Sequence, residues 1–234
     1  MKQPSLAIRV VVVAATVLSA AVVFLLLPRI APDVVEAFDR EGGPVELLSA
    51  LFYLVGFSLC VYRLAAKTSH NRPYLVLWAG ACFLFVGEET SWLQHMIGYG
   101  TPDAIRDVNV QQEFNLHNLL EGGSLHEAFG SGKFDYKLFL NPNTMFYLGF
   151  FSYFFVFPVL VHAKWLAGLA RKLKFPLPTI GFIVFLLAVL TLSTVGYLLA
   201  PEMRNEISEA RELYFALFIM LYVVVYLGTE EPGA

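Results

Sequence analysis

Six apolar stretches of nearly membrane-spanning length constrain this chain more than any other feature. A helix needs about 20 apolar residues to cross the hydrocarbon core of a bilayer, which is about 30 Å thick. The six stretches cover residues 8–27, 45–65, 74–93, 144–163, 178–199 and 213–228. We therefore predict an all-α, polytopic transmembrane bundle of about six spans, in which residues 1–234 form a single transmembrane domain.

The composition excludes two functional classes. The chain is 57% hydrophobic and 15% charged, its mean hydropathy is +0.63, and soluble domains carry about 25% charged residues, so a water-soluble fold is excluded. The net charge is only -3 and there is no long basic run, so nucleic acid is not expected as a partner. Cys60 and Cys82 lie in apolar stretches without a C-x-x-C or zinc-ligand spacing, and we interpret them as small buried side chains.

Basic residues in the connections predict the orientation. The connections 63–72 and 164–174 carry three and four Lys or Arg residues and no acid, so they should be cytoplasmic. The connections 28–44, 100–142 and 201–212 carry more acids than bases and should face outside. Both termini are then cytoplasmic. The first apolar run should remain as a span, because it is longer than a signal-peptide core and lacks a small-x-small cleavage site.

Polar residues interrupt the end of the third stretch. Glu88 lies 14 residues after Tyr74, about 21 Å along a helix, at a depth where carboxylates usually face the bundle interior or a wet cavity and mark function. On a continuous helix its face is shared with residues three, four and seven positions later, while Glu89 points about a quarter-turn away. The residues of that face are Glu88, Ser91, Trp92 and His95. In the alternative interpretation, both glutamates are interfacial residues at a tilted helix end.

The 100–142 connection contains a second polar run. Thr101 and Pro102 are typical of a helix start, with Thr101 as N-cap and Pro102 in the first turn. In a helix, Glu113, His117 and Glu121 would form a stripe that could bind a metal or relay a proton. In an extended chain the apolar set at alternate positions would face lipid or protein, and the polar set would face a cavity; the apolar set is Val110, Phe114 and Leu116. The caps favour the helix, and we expect the connection to fold onto the bundle.

Acids and histidines in both runs could hold a divalent metal, because oxygen and imidazole ligands suit Zn, Mn or Fe. These candidate ligands are Glu88, Glu89, His95, Glu113, His117 and Glu121. No H-E-x-x-H or E-x-x-H spacing is present, so a hydrogen-bonded polar network that holds the connection in place is an equal alternative. Glu46, Glu206 and Glu209 lie on the same predicted outer side and could converge on the site.

The two polar runs together resemble a signature in a group of uncharacterised multi-pass bacterial membrane proteins. The matching residues are Glu88-Glu89-x-Ser91-Trp92-x-Gln94 and Asn109-x-Gln111-x-Glu113-x-Asn115-Leu116-His117-Asn118. This resemblance implies a bacterial inner membrane and no particular activity. More loosely, the chain is similar to alkaline-ceramidase-like transmembrane hydrolases in having several spans with acid, Ser and His groups. Those enzymes place two histidines of a triad on a late helix, whereas the fifth and sixth spans here have none.

Three functions are compatible with these residues. The first is a membrane-embedded hydrolase or transferase acting on a lipid-type substrate from the outer side. The second is a scaffold or assembly factor whose polar connection packs on a protein partner, and the third is a proton- or cation-coupled transporter. The candidate catalytic residues are Glu88, Glu89, His95 and His117. The residues expected to line the site are Ser91, Trp92, Gln94, Asn109, Gln111, Glu113, Asn115, Asn118 and Glu46.

Overall fold

A computed structural model of the protein describes residues 6–38, 43–66, 72–107, 109, 112–115 and 142–225. Every regular element within these residues is a helix, which confirms the all-α class. In chain order the helices are α1 (Leu6–Ala21), α2 (Leu27–Ile30), α3 (Pro32–Phe38), α4 (Pro44–Ala66), α5 (Arg72–Glu89), α6 (Gln94–Ile97), α7 (Asp103–Arg106), α8 (Pro142–Phe151), α9 (Phe157–His162), α10 (Ala167–Leu173), α11 (Ile180–Leu199) and α12 (Arg204–Val225). The π-helical turns Val22–Leu26 and Ser152–Val156 join α1 to α2 and α8 to α9.

Three of the described helical segments are long and apolar enough to cross a membrane. They are Pro44–Ala66, Thr144–His162 and Ile180–Leu199, and they match the second, fourth and fifth predicted stretches. A shorter apolar segment, Ala14–Ile30, lies in the first. These segments support a helical membrane protein.

The third and sixth stretches differ from their predicted bounds. α5 ends at Glu89, so the helix predicted to continue to residue 93 is too long at that end. α12 begins at Arg204 and runs without a break into the predicted sixth stretch. Residues 204–212 therefore add two helical turns of polar sequence to an apolar helix.

The chain forms two compact units, one of residues 1–86 and 176–234 and the other of residues 87–175. In the first unit, α4 and α12 run in the same direction. Arg63 donates hydrogen bonds to the carbonyl oxygens of Val223 (2.5 Å) and Val224 (3.2 Å), and Gly56 lies against Met220. The buried guanidinium of Arg63 thus links α4 to the last described turn of α12.

The other helices of the first unit alternate in direction around this pair. α5 is antiparallel to α4, since the Tyr53 and Phe85 rings are 5.0 Å apart and the Phe57 and Phe83 rings 5.8 Å apart. α11 is antiparallel to α12: its early Phe185 stacks on Phe218, whereas its late Gly196 lies beside Ile207. Cys60 and Cys82 are both free and buried in this unit, as predicted. The second unit contains the candidate site.

Candidate functional site

A left-handed turn follows α5 and ends the regular helix. Ser91, Trp92 and Leu93 have φ angles of 43°, 54° and 65°, a region that residues with a Cβ rarely adopt. The prediction that Glu88, Ser91, Trp92 and His95 share one helical face is therefore wrong. Each residue in such a conformation costs roughly 1–3 kcal/mol and persists only where surrounding contacts fix it.

The Trp92 side chain is the first of these contacts. Its indole lies on Gly87, where an added Cβ would meet three ring carbons at 2.8 Å, and its Nε1–H donates to Glu88 Oε1 at 3.0 Å. The Tyr99 hydroxyl donates to the carbonyl oxygens of Ser91 (3.2 Å) and Trp92 (3.0 Å). Glu88 thus holds the turn through Trp92.

Substitution of Gly87 by alanine should displace the indole. Overpacking of this kind costs about 1–3 kcal/mol, against a gain of about 1 kcal/mol in helix propensity. Gly80→Ala on the same helix is the matched control, because nothing lies within 4 Å of its Cβ position. We expect Gly87→Ala to shift the Trp92 fluorescence in a Trp78→Phe, Trp165→Phe background and Gly80→Ala to leave it unchanged. Equal spectra for the two variants would contradict the packing of Trp92 on Gly87.

A buried carboxylate, Glu113, joins the left-handed turn to the second polar run. Its Oε2 accepts hydrogen bonds from the Ser91 hydroxyl and, at 3.2 Å, from Asn115 Nδ2. Its Oε1 lies 2.6 Å from His95 Nε2. Asn115 Nδ2 also lies 3.2 Å from Ser91 Oγ. Three side chains from two segments therefore hold one carboxylate.

Asn109 fixes the second run around this carboxylate. Its Nδ2 donates to the Asn115 carbonyl oxygen (2.9 Å) and to Asn115 Oδ1 (2.7 Å), and its Oδ1 accepts from the Glu113 amide at 3.4 Å. Asn109, Glu113 and Asn115 are all buried. The described part of this run is neither the predicted helix nor the predicted extended segment: the Gln112 amide donates to the Asn109 carbonyl oxygen at 3.1 Å in a turn, and Gln112 has a φ of 59°.

Thr101, which was expected to cap a helix, instead takes part in a second set of hydrogen bonds between the two polar runs. Gln94 accepts the Phe114 amide at 2.7 Å and donates to Thr101 Oγ1 at 2.8 Å, and Thr101 donates to the Gln112 carbonyl oxygen at 2.7 Å. Thr101 is therefore not an N-cap, and α7 starts after Pro102 and has four residues. Residues 112–115 are not helical, so the predicted stripe beginning at Glu113 does not form there.

His95 is the exposed member of the cluster. Its side chain is 56% exposed, whereas that of Glu113 is 10% exposed. An ionised carboxylate can only accept hydrogen bonds, so with Glu113 ionised the proton of this contact lies on Nε2. Among the residues that the structure describes, none hydrogen-bonds to Nδ1.

The other predicted site residues do not all join this cluster. Glu89 ends α5 and Glu46 lies in the first turn of α4, in the other unit. Gln111, His117 and Asn118 lie outside the described residues, as does Glu121. Among the residues that are described, no group of three or more His, Cys, Asp or Glu side chains is placed to hold a metal. The predicted set thus converges on Ser91, His95 and Glu113, with Gln94, Asn109 and Asn115 in support.

Two residues of the site were missed in the sequence. Tyr99 bonds to backbone carbonyls of the turn, and no local pattern indicates such a contact. Gly87 could have been identified in the sequence, because a glycine near a helix end and before a tryptophan is consistent with close approach of the indole ring to the backbone.

Comparison with known proteins identifies no relative. No family model matches the chain, and neither a curated protein nor a solved structure is similar to it. The function must therefore be argued from the geometry of the site.

Proposed function

We propose that the protein is a membrane-embedded acid–base enzyme, a hydrolase or transferase acting on a lipid-type substrate, in which His95 is the base. The observation that carries this proposal is the short contact between the exposed His95 imidazole and the buried Glu113 carboxylate. Imidazole is the side chain whose ordinary pKa suits proton transfer near neutral pH. A carboxylate behind it fixes the tautomer and stabilises the imidazolium that forms.

The other members of the cluster act through Glu113. Ser91 is buried and its hydroxyl donates to the carboxylate, so it positions Glu113 and is not presented as a nucleophile. Asn115 donates to the same oxygen, and Asn109 holds Asn115. With Nε2–H held by Glu113, Nδ1 of His95 can take a proton from a water molecule or a substrate hydroxyl, which then attacks the labile bond. The leaving group then takes this proton from the imidazolium of His95.

Six crossings account for the helix directions in the first unit. α4 and α12 are parallel, so if both cross the membrane, the chain between them must cross an odd number of times. Two of the segments between them, Thr144–His162 and Ile180–Leu199, have spanning length, and α5 supplies the third crossing. At 18 residues α5 is about 27 Å long, close to the hydrocarbon thickness of about 30 Å.

The basic-residue asymmetry then gives the orientation. It places both termini and the 63–72 and 164–174 connections in the cytoplasm and the His95 site at the outer surface. The resemblance of residues 88–118 to multi-pass bacterial proteins favours the bacterial inner membrane as the location.

Turnover of lipids by the purified protein tests the enzyme proposal. Wild-type protein in nanodiscs made from a bacterial lipid extract should change the lipid profile measured by mass spectrometry, and His95→Ala should reduce the rate by about 10²–10⁴-fold, the usual contribution of a general base. His162→Ala is the matched control, since His162 is an exposed histidine at the end of α9. An unchanged profile with wild-type protein, or equal rates for the two variants, would contradict a catalytic His95.

A scaffold function is the second candidate, and one observation favours it. The hydrogen bonds of Gln94, Thr101 and Glu113 connect residues 91–101 to residues 112–115. A network whose role is to shape a docking surface for a protein partner would make the same connections. In that case His95→Ala would leave the lipid profile unchanged and Glu113→Ala would disturb the surface.

A further inference from the structure

Exposed apolar residues flank His95 in the sequence. Leu93, Met96 and Ile97 are 41%, 80% and 68% exposed, and together with His95 they form what we call the Leu93–Ile97 rim. Fully burying a large apolar side chain is more favourable than leaving it exposed to water by roughly 1.5–3 kcal/mol. A cluster of them in a membrane protein is expected to contact lipid or protein.

The position of the rim in the chain favours lipid. Leu93 follows Glu89, the last residue of α5, by four residues, and four residues span at most about 14 Å. In the proposed topology α5 ends at the outer boundary of the hydrocarbon core, so the rim begins within about 14 Å of that boundary. Apolar side chains at this depth insert beside the headgroups and acyl chains.

The charge around the rim indicates which lipids can approach. Residues 87–115 contain five acids and one base, Arg106. That base is already engaged by Asp103 at 2.5 Å and by Asp107 at 4.0 Å. The segment thus has a surplus of negative charge and no unengaged Lys or Arg for a phosphate, a composition that disfavours anionic headgroups.

We propose that the Leu93–Ile97 rim inserts into the outer leaflet and that the substrate reaches His95 laterally, as a lipid with a neutral, zwitterionic or cationic headgroup. This inference rests on the proposed function for the reaction and on the proposed topology for the depth. The bond that is broken would lie at headgroup level, where His95 stands between apolar neighbours. Anionic lipids would be disfavoured by the acids of residues 87–115.

Depth measurements test the insertion without using turnover. Met96→Cys and Asp103→Cys, each in a Cys60→Ala, Cys82→Ala background, place a spin label at two highly exposed positions of the same unit. In phosphatidylcholine nanodiscs the label at position 96 should be accessible to oxygen and protected from an aqueous nickel complex, and the label at 103 should show the reverse. Equal access of the nickel complex to both labels would overturn the insertion.

Headgroup preference tests the substrate class. A fluorophore at position 96 in nanodiscs of equal phosphatidylcholine and phosphatidylglycerol should be quenched more by headgroup-spin-labelled choline lipid than by the glycerol lipid. The preference should reach at most about fivefold, since one pair of charges in contact in water contributes about 1 kcal/mol. Equal quenching, or preference for phosphatidylglycerol, would overturn the exclusion of anionic lipids.

The two proposals fail separately. If the label at position 96 inserts but His95→Ala does not slow lipid turnover, insertion of the rim is supported and the enzyme proposal is contradicted. If turnover depends on His95 but the label stays in water, the enzyme proposal is supported and lateral entry of the substrate is contradicted.

Discussion

Glu113→Ala is expected to separate the described residues of the second polar run from the left-handed turn and to lower the free energy of unfolding by about 1–3 kcal/mol for each buried donor that loses its acceptor. The substitution removes the acceptor of Ser91, His95 and Asn115 at once. Ser91 and Asn115 are buried, and a buried donor without an acceptor costs about 1–3 kcal/mol. The strained turn would also lose the contact that holds it to the second run.

Glu113→Gln removes the negative charge at this position and keeps the shape of the side chain. Glutamine keeps one acceptor oxygen, but its amide group brings two donors to a place where every neighbour already donates. We therefore expect a smaller loss of stability than with alanine, together with a loss of lipid turnover as large as that of His95→Ala. Turnover retained in Glu113→Gln would show that His95 does not need the carboxylate.

Hydrogen exchange measures the separation directly. The amides of Glu113 and Phe114 donate to Asn109 and Gln94, so both should lose protection in Glu113→Ala. Asp103→Ala is the matched control, because its ion pair with Arg106 is at the surface and such pairs contribute at most about 1 kcal/mol. Similar protection in Glu113→Ala and Asp103→Ala would show that Glu113 does not hold this segment.

The helical class and the apolar helices could be predicted because bilayer thickness imposes a length. Apolar runs near residues 45–65, 144–163 and 178–199 had to become helices that satisfy their own backbone groups, and the structure places helices there. Length alone could not give the end of the third run. The chain leaves α5 after Glu89, where the residues that follow are ordinary by composition and their conformation is set by contacts with Gly87, Tyr99 and Glu113.

The site residues were predicted better than their arrangement. Ser91, His95, Gln94 and Glu113 were identified from their polarity in an apolar context, and they do form one network. The helix start at Thr101 was wrong because a capping side chain can bond equally well to distant groups. The hydroxyl of Thr101 instead bonds to Gln94 and Gln112, and only the folded chain brings these together.

The last prediction concerns the side of the membrane on which this site lies, and its effect is all or none. α4 and α12 are parallel and are joined through Arg63 to Val223 and Val224, so if both cross the membrane, both end on the same side. The basic connections 63–72 and 164–174 predict that this side is cytoplasmic, because Lys and Arg near span ends are retained there. Asp103, which follows α5 at the opposite end, should then be outside.

Single-cysteine labelling in a Cys60→Ala, Cys82→Ala background distinguishes the two sides. Asp103→Cys should react with a membrane-impermeant maleimide in intact cells, while Lys172→Cys should react only after the membrane is opened, and both positions are exposed. Reaction of Lys172→Cys in intact cells with Asp103→Cys protected would invert the orientation and move His95 to the inner leaflet. Reaction of both would mean that the chain between residues 103 and 172 crosses an even number of times. The segment Thr144–His162 could then not be a lone crossing between these positions, and the parallel pairing of α4 and α12 would need a different explanation.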